Sequence, residues 1–480
     1  MKREFLINII FLITINLLIK PVYIFFIDRG VQNAVEPGAY GLYFTLFNFT
    51  YLFQMVLDMG LQNFNNQSLS ANRNLIKSHI PNILFLKLIT VLVFWLVVFV
   101  TVWAIGYPAS FYKMIFGVGW IHVGLTFLLY LRTNISGMGY YRTDSLMSVL
   151  DKALLIIVVG YLLFRADSSR SFDVMWFVNA QIATLSLSIV IALIISLKIA
   201  GEITFKIDPT LLKQIIKKSL PFALASFLMF AYAKIDSVML ERMLPDGLTE
   251  ADNYAGGWRI LNAGNMVGFL FVGLLFPMIS NMLSKGENVR SITRLAFLLL
   301  FSLVSCIAIP ISVYSQEISE FLYLRADLNW GEVLRILMYN YIVITIIFIY
   351  SVVLAASKNL KWANIIFALG FVINVGLNYL FIPQFKAIGA SWVTLVTHGV
   401  VALGLVIICI RIMSFRLDFK LISTLLLFLT CFFIINHYIE KIELLWIYRF
   451  AMGIISGLIL AFIFRLIPLF KFGKIIAGKS

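Results

Sequence analysis

Charge is what this chain has least of. Of its 480 residues only 13% are Asp, Glu, Lys or Arg, against 61% hydrophobic, and the mean hydropathy is +0.96. That leaves far too little polar surface to coat a water-soluble globule of this length. Acids are scarcer than bases, 23 against 38, for a formal net charge of +15. Cysteine is nearly missing as well. Cys306, Cys409 and Cys431 stand singly in apolar stretches without CxxC spacing, so they read as packing residues, with no disulfide framework and no metal site. Long polar loops are also lacking. The longest external breaks, about 242–253 and 316–332, carry no paired histidines, metal-ligand cluster or Gly-rich phosphate cradle, which weighs against a membrane-embedded polymerase or glycosyltransferase and implies no cofactor.

What the chain has instead is roughly fourteen apolar stretches, most of about 20 residues or more, between Phe5 and Leu469. Lipid offers no partner for free backbone N–H or C=O groups, so each stretch reads as a spanning helix and the fold class as an all-α polytopic membrane protein. The spans fall at about 4–27, 40–60, 80–105, 111–138, 145–164, 174–197, 219–241, 254–283, 295–315, 333–356, 362–383, 387–410, 421–438 and 447–467. The basic start, Lys2-Arg3, resembles a signal peptide, but Lys20-Pro21 interrupts the apolar run and no small-x-small cleavage site follows.

The short breaks carry most of the positive charge. About 21 Lys and Arg residues fall on the side of the N-terminus and about eight on the other, a bias that places both termini in the cytoplasm by the positive-inside rule. This charge faces anionic headgroups, and no nucleic-acid partner is expected. The densest basic run, around Lys198, Lys206, Lys213, Lys217 and Lys218, follows six spans and includes the turn signal Asp208-Pro209. The chain therefore divides into a six-helix lobe at 1–200, a basic cytoplasmic linker at 201–218, a second six-helix lobe at 219–412, and two additional helices with a basic tail at 413–480. A shift of 214 residues places Lys20 on Lys234 and Tyr40 on Tyr254, which points to two like-oriented, pseudo-symmetric bundles. Transporters built from such repeats bind substrate at the repeat interface near the midplane.

Several charges lie within spans. A cation at a helix centre costs about 2.5–3.5 kcal/mol, so Lys20, Lys87, Arg132, Lys152, Lys234 and Arg259 need a hydrated cavity or counter-ions. Intramembrane acids are fewer. Asp58, Asp151 and Asp236 are candidates for orienting these cations or coupling to an ion, and Asp236, two residues after Lys234, points elsewhere on its helix. The excess is basic and suits an anionic substrate, most simply a phosphate or pyrophosphate. The alternative for each residue is structural pairing between helices. Arg335, Arg449 and Arg465 sit near span ends and snorkel. His79 and His437 fall in loops, and His122 and His398 pack inside the membrane.

The run from Tyr40-Gly41-Leu42-Tyr43 to Leu57-Asp58-Met59-Gly60-Leu61 resembles the second-span signature of polysaccharide flippases. So do Leu220-Pro221-Phe222, Lys234-Ile235-Asp236-Ser237-Val238-Met239-Leu240, Tyr254-Ala255, Leu275-Phe276-Pro277, Asn374 with Asn378-Tyr379, Ile382-Pro383, and Ala387-Ile388-Gly389-Ala390-Ser391-Trp392. In order and spacing the chain resembles the Wzx-type O-antigen translocases of the multidrug, oligosaccharidyl-lipid and polysaccharide exporter superfamily. The resemblance implies two lobes working by alternating access in the bacterial inner membrane. The expected activity is the flipping of an undecaprenyl-pyrophosphate-linked oligosaccharide, as in O-antigen and lipopolysaccharide synthesis, from the cytoplasmic to the periplasmic leaflet. It implies no catalysis, and as partners the lipid-linked glycan, membrane lipid, a polysaccharide polymerase and a chain-length regulator. Lys20, Arg132, Lys234 and Arg259 lead the expected substrate contacts, with Lys87 and Lys152 behind them. A drug and cation exporter of the same superfamily is the alternative, and would show a dominant acid in its cavity.

Overall fold

The computed structural model describes residues 2–165, 172–201, 206–357, 359–413, 415 and 418–467; the basic tail lies outside them. Nearly all of the described residues are helical and none is in a strand. The chain divides into two compact units, Met1–Asp252 and Asn253–Ser480.

The first unit opens with α1 (Lys2–Val22), which carries Pro21 in its last turn and continues as a π-helix, Tyr23–Asp28, before α2 (Arg29–Ala34). Proline has no N–H to donate, and a widened turn follows directly from that loss. The expected second span is broken. Within 40–60 it divides at Phe53 into α3 (Ala39–Leu52) and α4 (Gln54–Asp58), and α5 (Leu61–Ala71) is set off beyond it because Met59 (φ 44°) and Gly60 (φ 73°) both adopt the left-handed conformation. Glycine takes that conformation at no steric cost, and one such residue ends a helix. Four longer helices follow, α6 (Ile76–Ile105), α7 (Tyr112–Gly137), α8 (Tyr141–Arg165) and α9 (Val174–Ala200), and then α10 (Pro209–Met243). Asp208 starts α10 as both its cap and its turn signal, accepting from Thr210 N at 2.8 Å with Pro209 in the first turn. Within this unit α7 packs on α9 and α5, α1 on α8, and α10 on α3. The α3–α10 seam is polar, with Thr45 Oγ1 donating to Ser237 O at 3.2 Å and Asn48 Nδ2 to Ser237 Oγ at 3.0 Å.

The division between units falls inside α11 (Gly247–Ser284). The second unit continues with α12 (Arg290–Val313), α13 (Ser315–Leu322), α14 (Leu328–Ala356), α15 (Leu360–Met413), α16 (Phe419–Glu440) and α17 (Trp446–Ile463). α15 is two expected spans joined at a kink, where Lys386 (φ 51°, ψ −133°) leaves helical geometry. Asp327 and Asp418 cap α14 and α16 by accepting from backbone N–H groups. Among the described residues ten helices are long and apolar enough to cross a membrane. This is a multi-pass membrane protein.

Two histidines depart from expectation. His79 lies on α6, not in a loop; it is buried, stacked on Phe64 with ring centroids 5.7 Å apart, and its Nδ1 lies 3.2 Å from Asn65 Oδ1. His437 lies in the last turn of α16, 3.7 Å from the Glu440 carboxylate. The polar sequence around each reflects a helix end at an interface, which composition alone does not separate from a loop.

The α16–α17 pair depends on Gly453 and Gly457. A Cβ on Gly457 would meet the Phe432 ring at 2.3 Å, and one on Gly453 would meet Asn436 Oδ1 at 2.4 Å. Small residues four apart let two membrane helices approach this closely. Gly457→Val is expected to destabilise the protein by about 1–3 kcal/mol, read as a lower melting temperature in detergent. Gly273→Ala, where no atom lies within 4 Å, is the matched control and should not lower it.

Candidate functional site

Three of the sequence-selected cations come together in the first unit. Arg132, on α7, grips Asp144 of α8 with two donors, Nε to Oδ1 at 2.8 Å and Nη2 to Oδ2 at 3.4 Å. The tight connection between Gly137 and Tyr141 folds α8 back so that these residues, twelve apart, face each other. Seven residues, about two helical turns, beyond Asp144, Asp151 reaches Lys152 Nζ at 3.2 Å, and that ammonium also lies 4.8 Å from the centre of the Tyr23 ring in the π segment. Lys20, on α1, is within electrostatic range of Arg132, Asp151 and Lys152. Packing of α1 against α8, fixed by Asn16 Nδ2 donating to Ser148 Oγ at 2.9 Å, sets this approach. The cluster holds three cations and two carboxylates. Among the described residues none of the carboxylates pairs directly with Lys20. Arg132 and Lys152 retain 20% and 23% side-chain exposure, so the group is accessible.

Lys87 is different. It is 1% exposed, and the three hydrogens of its ammonium face Leu57 O at 3.0 Å, Thr126 O at 3.3 Å and Asp58 Oδ1 at 3.7 Å. Leu57 lies in the last turn before the left-handed break at Met59-Gly60, where a helix leaves carbonyls without intrahelical donors. Lys87 therefore completes the broken span, and Asp58 neutralises it.

Next to this break lies a cavity of about 220 Å3 lined by Tyr51, Gln54, Met55, Asp58 and Gln62, with Phe227 and Ala231 of α10 across from them. Lys234 reaches this neighbourhood, its Nζ 5.6 Å from the Tyr51 ring centre. Asp236 is fully buried on the same helix and its charge still acts on Lys234. His122 supports the wall: one ring nitrogen lies 3.0 Å from Phe47 O, and the ring packs against Phe47 and Tyr51. Sequence reasoning did not single out Tyr51, Gln54 or Gln62. The only signal was Met59-Gly60, a left-handed pair that turns this segment into a pocket wall.

Arg259 belongs to the second unit. It is 5% exposed, donates to Tyr323 Oη at 2.9 Å and lies over that ring, while Tyr323 donates onward to Gly256 O at 3.0 Å. The structure thus brings Lys20, Arg132, Lys152 and Asp151 into one group, sets Lys87 and Asp58 at the helix break, and holds Arg259 in a separate network.

Buried cations and a small polar cavity thus sit among helices long and apolar enough to cross a membrane. The chain belongs to the polysaccharide biosynthesis protein family, whose sequence model matches residues 5–283. No curated protein matches the chain. Among solved structures it is similar to the lipid II flippase MurJ in an inward closed conformation, at 14% identity and a TM-score of 0.69, over 94% of this chain and 98% of that one. It is also similar to an inward-facing multidrug resistance MATE transporter of the MOP superfamily, at 16% identity and a TM-score of 0.60, over 82% and 94% of the two chains. A MOP transporter from Pyrococcus furiosus, described by the reverse polarity of its binding pocket, matches at 17% identity and a TM-score of 0.55, over 85% and 95%. At these identities the likeness is one of fold.

Proposed function

We propose that this chain flips an undecaprenyl-pyrophosphate-linked oligosaccharide, an O-antigen or similar repeat unit, from the cytoplasmic to the periplasmic leaflet of the bacterial inner membrane, with both termini in the cytoplasm. The observation that carries the reading is the accessible group of Lys20, Arg132 and Lys152 held by only two carboxylates inside an apolar bundle. A surplus cation in low dielectric is stabilised by an arriving anion, and a pyrophosphate offers charge and several acceptors at once. Lys234, beside the Tyr51 cavity, and Arg259 extend the basic character, while Asp151 and Asp236 orient neighbouring cations. Lys87 and Asp58 shape the site from behind by holding the break in place.

A drug or cation exporter would call for a dominant carboxylate. Asp58 does line the Tyr51 cavity, but Lys87 lies 3.7 Å from it and Lys234 stands over the same aromatic ring, which opposes a cationic cargo. The polysaccharide family and the fold shared with a lipid II flippase support the lipid-linked cargo. A polymerase and a chain-length regulator are the natural partners on the receiving side.

The test is reconstitution into liposomes with a labelled polyprenyl-pyrophosphate saccharide. Relocation of the label between leaflets with unchanged mass is the expected result. A changed product mass would mean chemistry, and movement of organic cations without movement of the lipid would mean an exporter.

A further inference from the structure

Three helix ends in the Asn253–Ser480 unit enclose a further cavity, of about 650 Å3, where α12 ends, α14 begins and α16 ends. Arg335 lies seven residues after the start of α14 and Phe433 seven residues before the end of α16, so the cavity takes up about two turns, or about 11 Å, measured from those ends. One headgroup layer accounts for only about 5–8 Å of a bilayer. The cavity therefore begins among headgroups and reaches the edge of the hydrocarbon. Its lining changes in the same direction, from Glu440 and His437 to Phe433 and Ile434.

Both signs of charge line it. Arg335 Nη1 meets Glu332 Oε2 at 2.9 Å, a bond that uses one of the five N–H groups of a side chain that is 42% exposed. Glu440 is 47% exposed, and His437 Nδ1 lies 3.7 Å from its Oε2, beyond hydrogen-bond range. The neighbouring cations are engaged elsewhere. Arg449 Nη1 donates to the backbone O of Glu440 and its guanidinium lies over the Tyr314 ring, while Lys441 lies over the Tyr438 ring. Among the described residues the Glu440 carboxylate thus forms no ion pair with a Lys or Arg.

This balance decides the ligand class. A simple anion is drawn to Arg335 and repelled by Glu440, and a simple cation meets the reverse. A zwitterion satisfies both. The depth and the apolar floor call in addition for an acyl chain. Among zwitterionic phospholipids, one with a primary amine offers three N–H donors to a carboxylate, whereas a choline group offers none.

We propose that this cavity holds a phospholipid with a primary-amine headgroup, its phosphate on Arg335, its ammonium on Glu440 and the start of a chain along Phe433 and Ile434. Selectivity lies at Glu440, which distinguishes the amine. Arg335 holds the phosphate that all such lipids share. The occupant is a bilayer lipid, and the assignment stands whatever cargo the protein carries.

The experiment uses the full chain purified in detergent, with lipid retention read by native mass spectrometry and thermal unfolding followed in parallel. Dioleoylphosphatidylethanolamine is expected to be retained at one molecule per chain, about tenfold to a hundredfold more tightly than dioleoylphosphatidylcholine, and to raise the melting temperature. The N-methyl and N,N-dimethyl lipids should fall between them in order. Dioleoylphosphatidylglycerol, which lacks the amine, should be retained no better than the choline lipid. Glu440→Gln should bring the ethanolamine and choline lipids within about twofold of each other, whereas Arg335→Gln should weaken both by about tenfold and keep their ratio. Both changes disturb only exposed pairs, so the lipid-free melting temperatures should stay close to that of the parent. Soluble sn-glycero-3-phosphoethanolamine, at the concentration where the lipid acts, should leave the melting temperature unchanged. Equal retention of the ethanolamine and choline lipids by the parent, a preference that survives Glu440→Gln, retention indifferent to Arg335→Gln, or stabilisation by the soluble headgroup alone would each overturn the assignment.

Discussion

Lys87→Met should cost about 3–5 kcal/mol of stability, the largest single effect expected anywhere in the first unit. The methionine fills a similar volume but removes the charged donor shared by Leu57 O and Thr126 O, leaves Leu57 O with only the longer contact from Thr90 Oγ1 at 3.4 Å, and takes from Asp58 its cation. Asp58, 24% exposed at the Tyr51 cavity, then carries an uncompensated charge next to the left-handed break. Unfolding in mixed micelles would measure the loss. Adding Asp58→Asn to Lys87→Met removes the orphaned charge and should recover part of it, whereas Asp58→Asn alone leaves Lys87 under-neutralised and destabilises. Additive losses in the double variant would refute the coupling of the pair.

Lys20→Gln should reduce flipping by about tenfold to a hundredfold while leaving the melting temperature close to that of the parent. The fold-change follows from about 1.5–3 kcal/mol for a hydrogen bond to a charged group, with 1.4 kcal/mol per tenfold. The unchanged stability follows from geometry. Neither carboxylate of the cluster pairs directly with Lys20: Asp144 is held by Arg132, and Asp151 by Lys152. Removing Lys20 also relieves repulsion among three like charges. Lys20→Arg should restore most of the rate, because a guanidinium supplies the same charge to a pyrophosphate. The measurements are leaflet exchange of a labelled lipid-linked saccharide and the amount of polysaccharide displayed on cells. Normal exchange in Lys20→Gln, and again with Lys152→Gln added, would remove the basic group from the transport site.

The contrast between these two lysines bears on what could be read from sequence. Both are cations in apolar runs, and hydropathy with the insertion cost treats them alike. What separates them is a backbone event. Met59-Gly60 ends α4 in a left-handed turn and exposes a carbonyl that needs a donor, and a 20-residue hydropathy window does not register φ. The Arg132–Asp144 pair was hidden for another reason. Its members are twelve apart, on two helices, and only the tight return at Gly137–Tyr141 brings them together. The all-helical, multi-pass character was legible because apolar length at 1.5 Å per residue is a direct ruler for the bilayer, while ten helices among the described residues, against about fourteen expected stretches, meet that length and apolarity. Even the α15 kink at Lys386 falls where turn signals separated two expected spans. The basic character was legible in composition; which cations share a neighbourhood depends on helix rotation, which the apolar runs, hydrophobic all round, do not encode.

The π-helical stretch at Tyr23–Asp28 carries this dependence on rotation one step further. Such stretches hold an extra residue per turn, and deleting one residue from them returns the chain to ordinary α geometry. Each residue corresponds to about 100° around the axis. The wider turn takes up that extra residue, so losing Phe26 alone would leave the facing of α1 to α2 nearly unchanged and keep Lys20 on the side it presents to α8. The aim of this ammonium is therefore buffered by the wide turn that follows it, and a one-residue deletion within Tyr23–Asp28 is the length change this helix tolerates best.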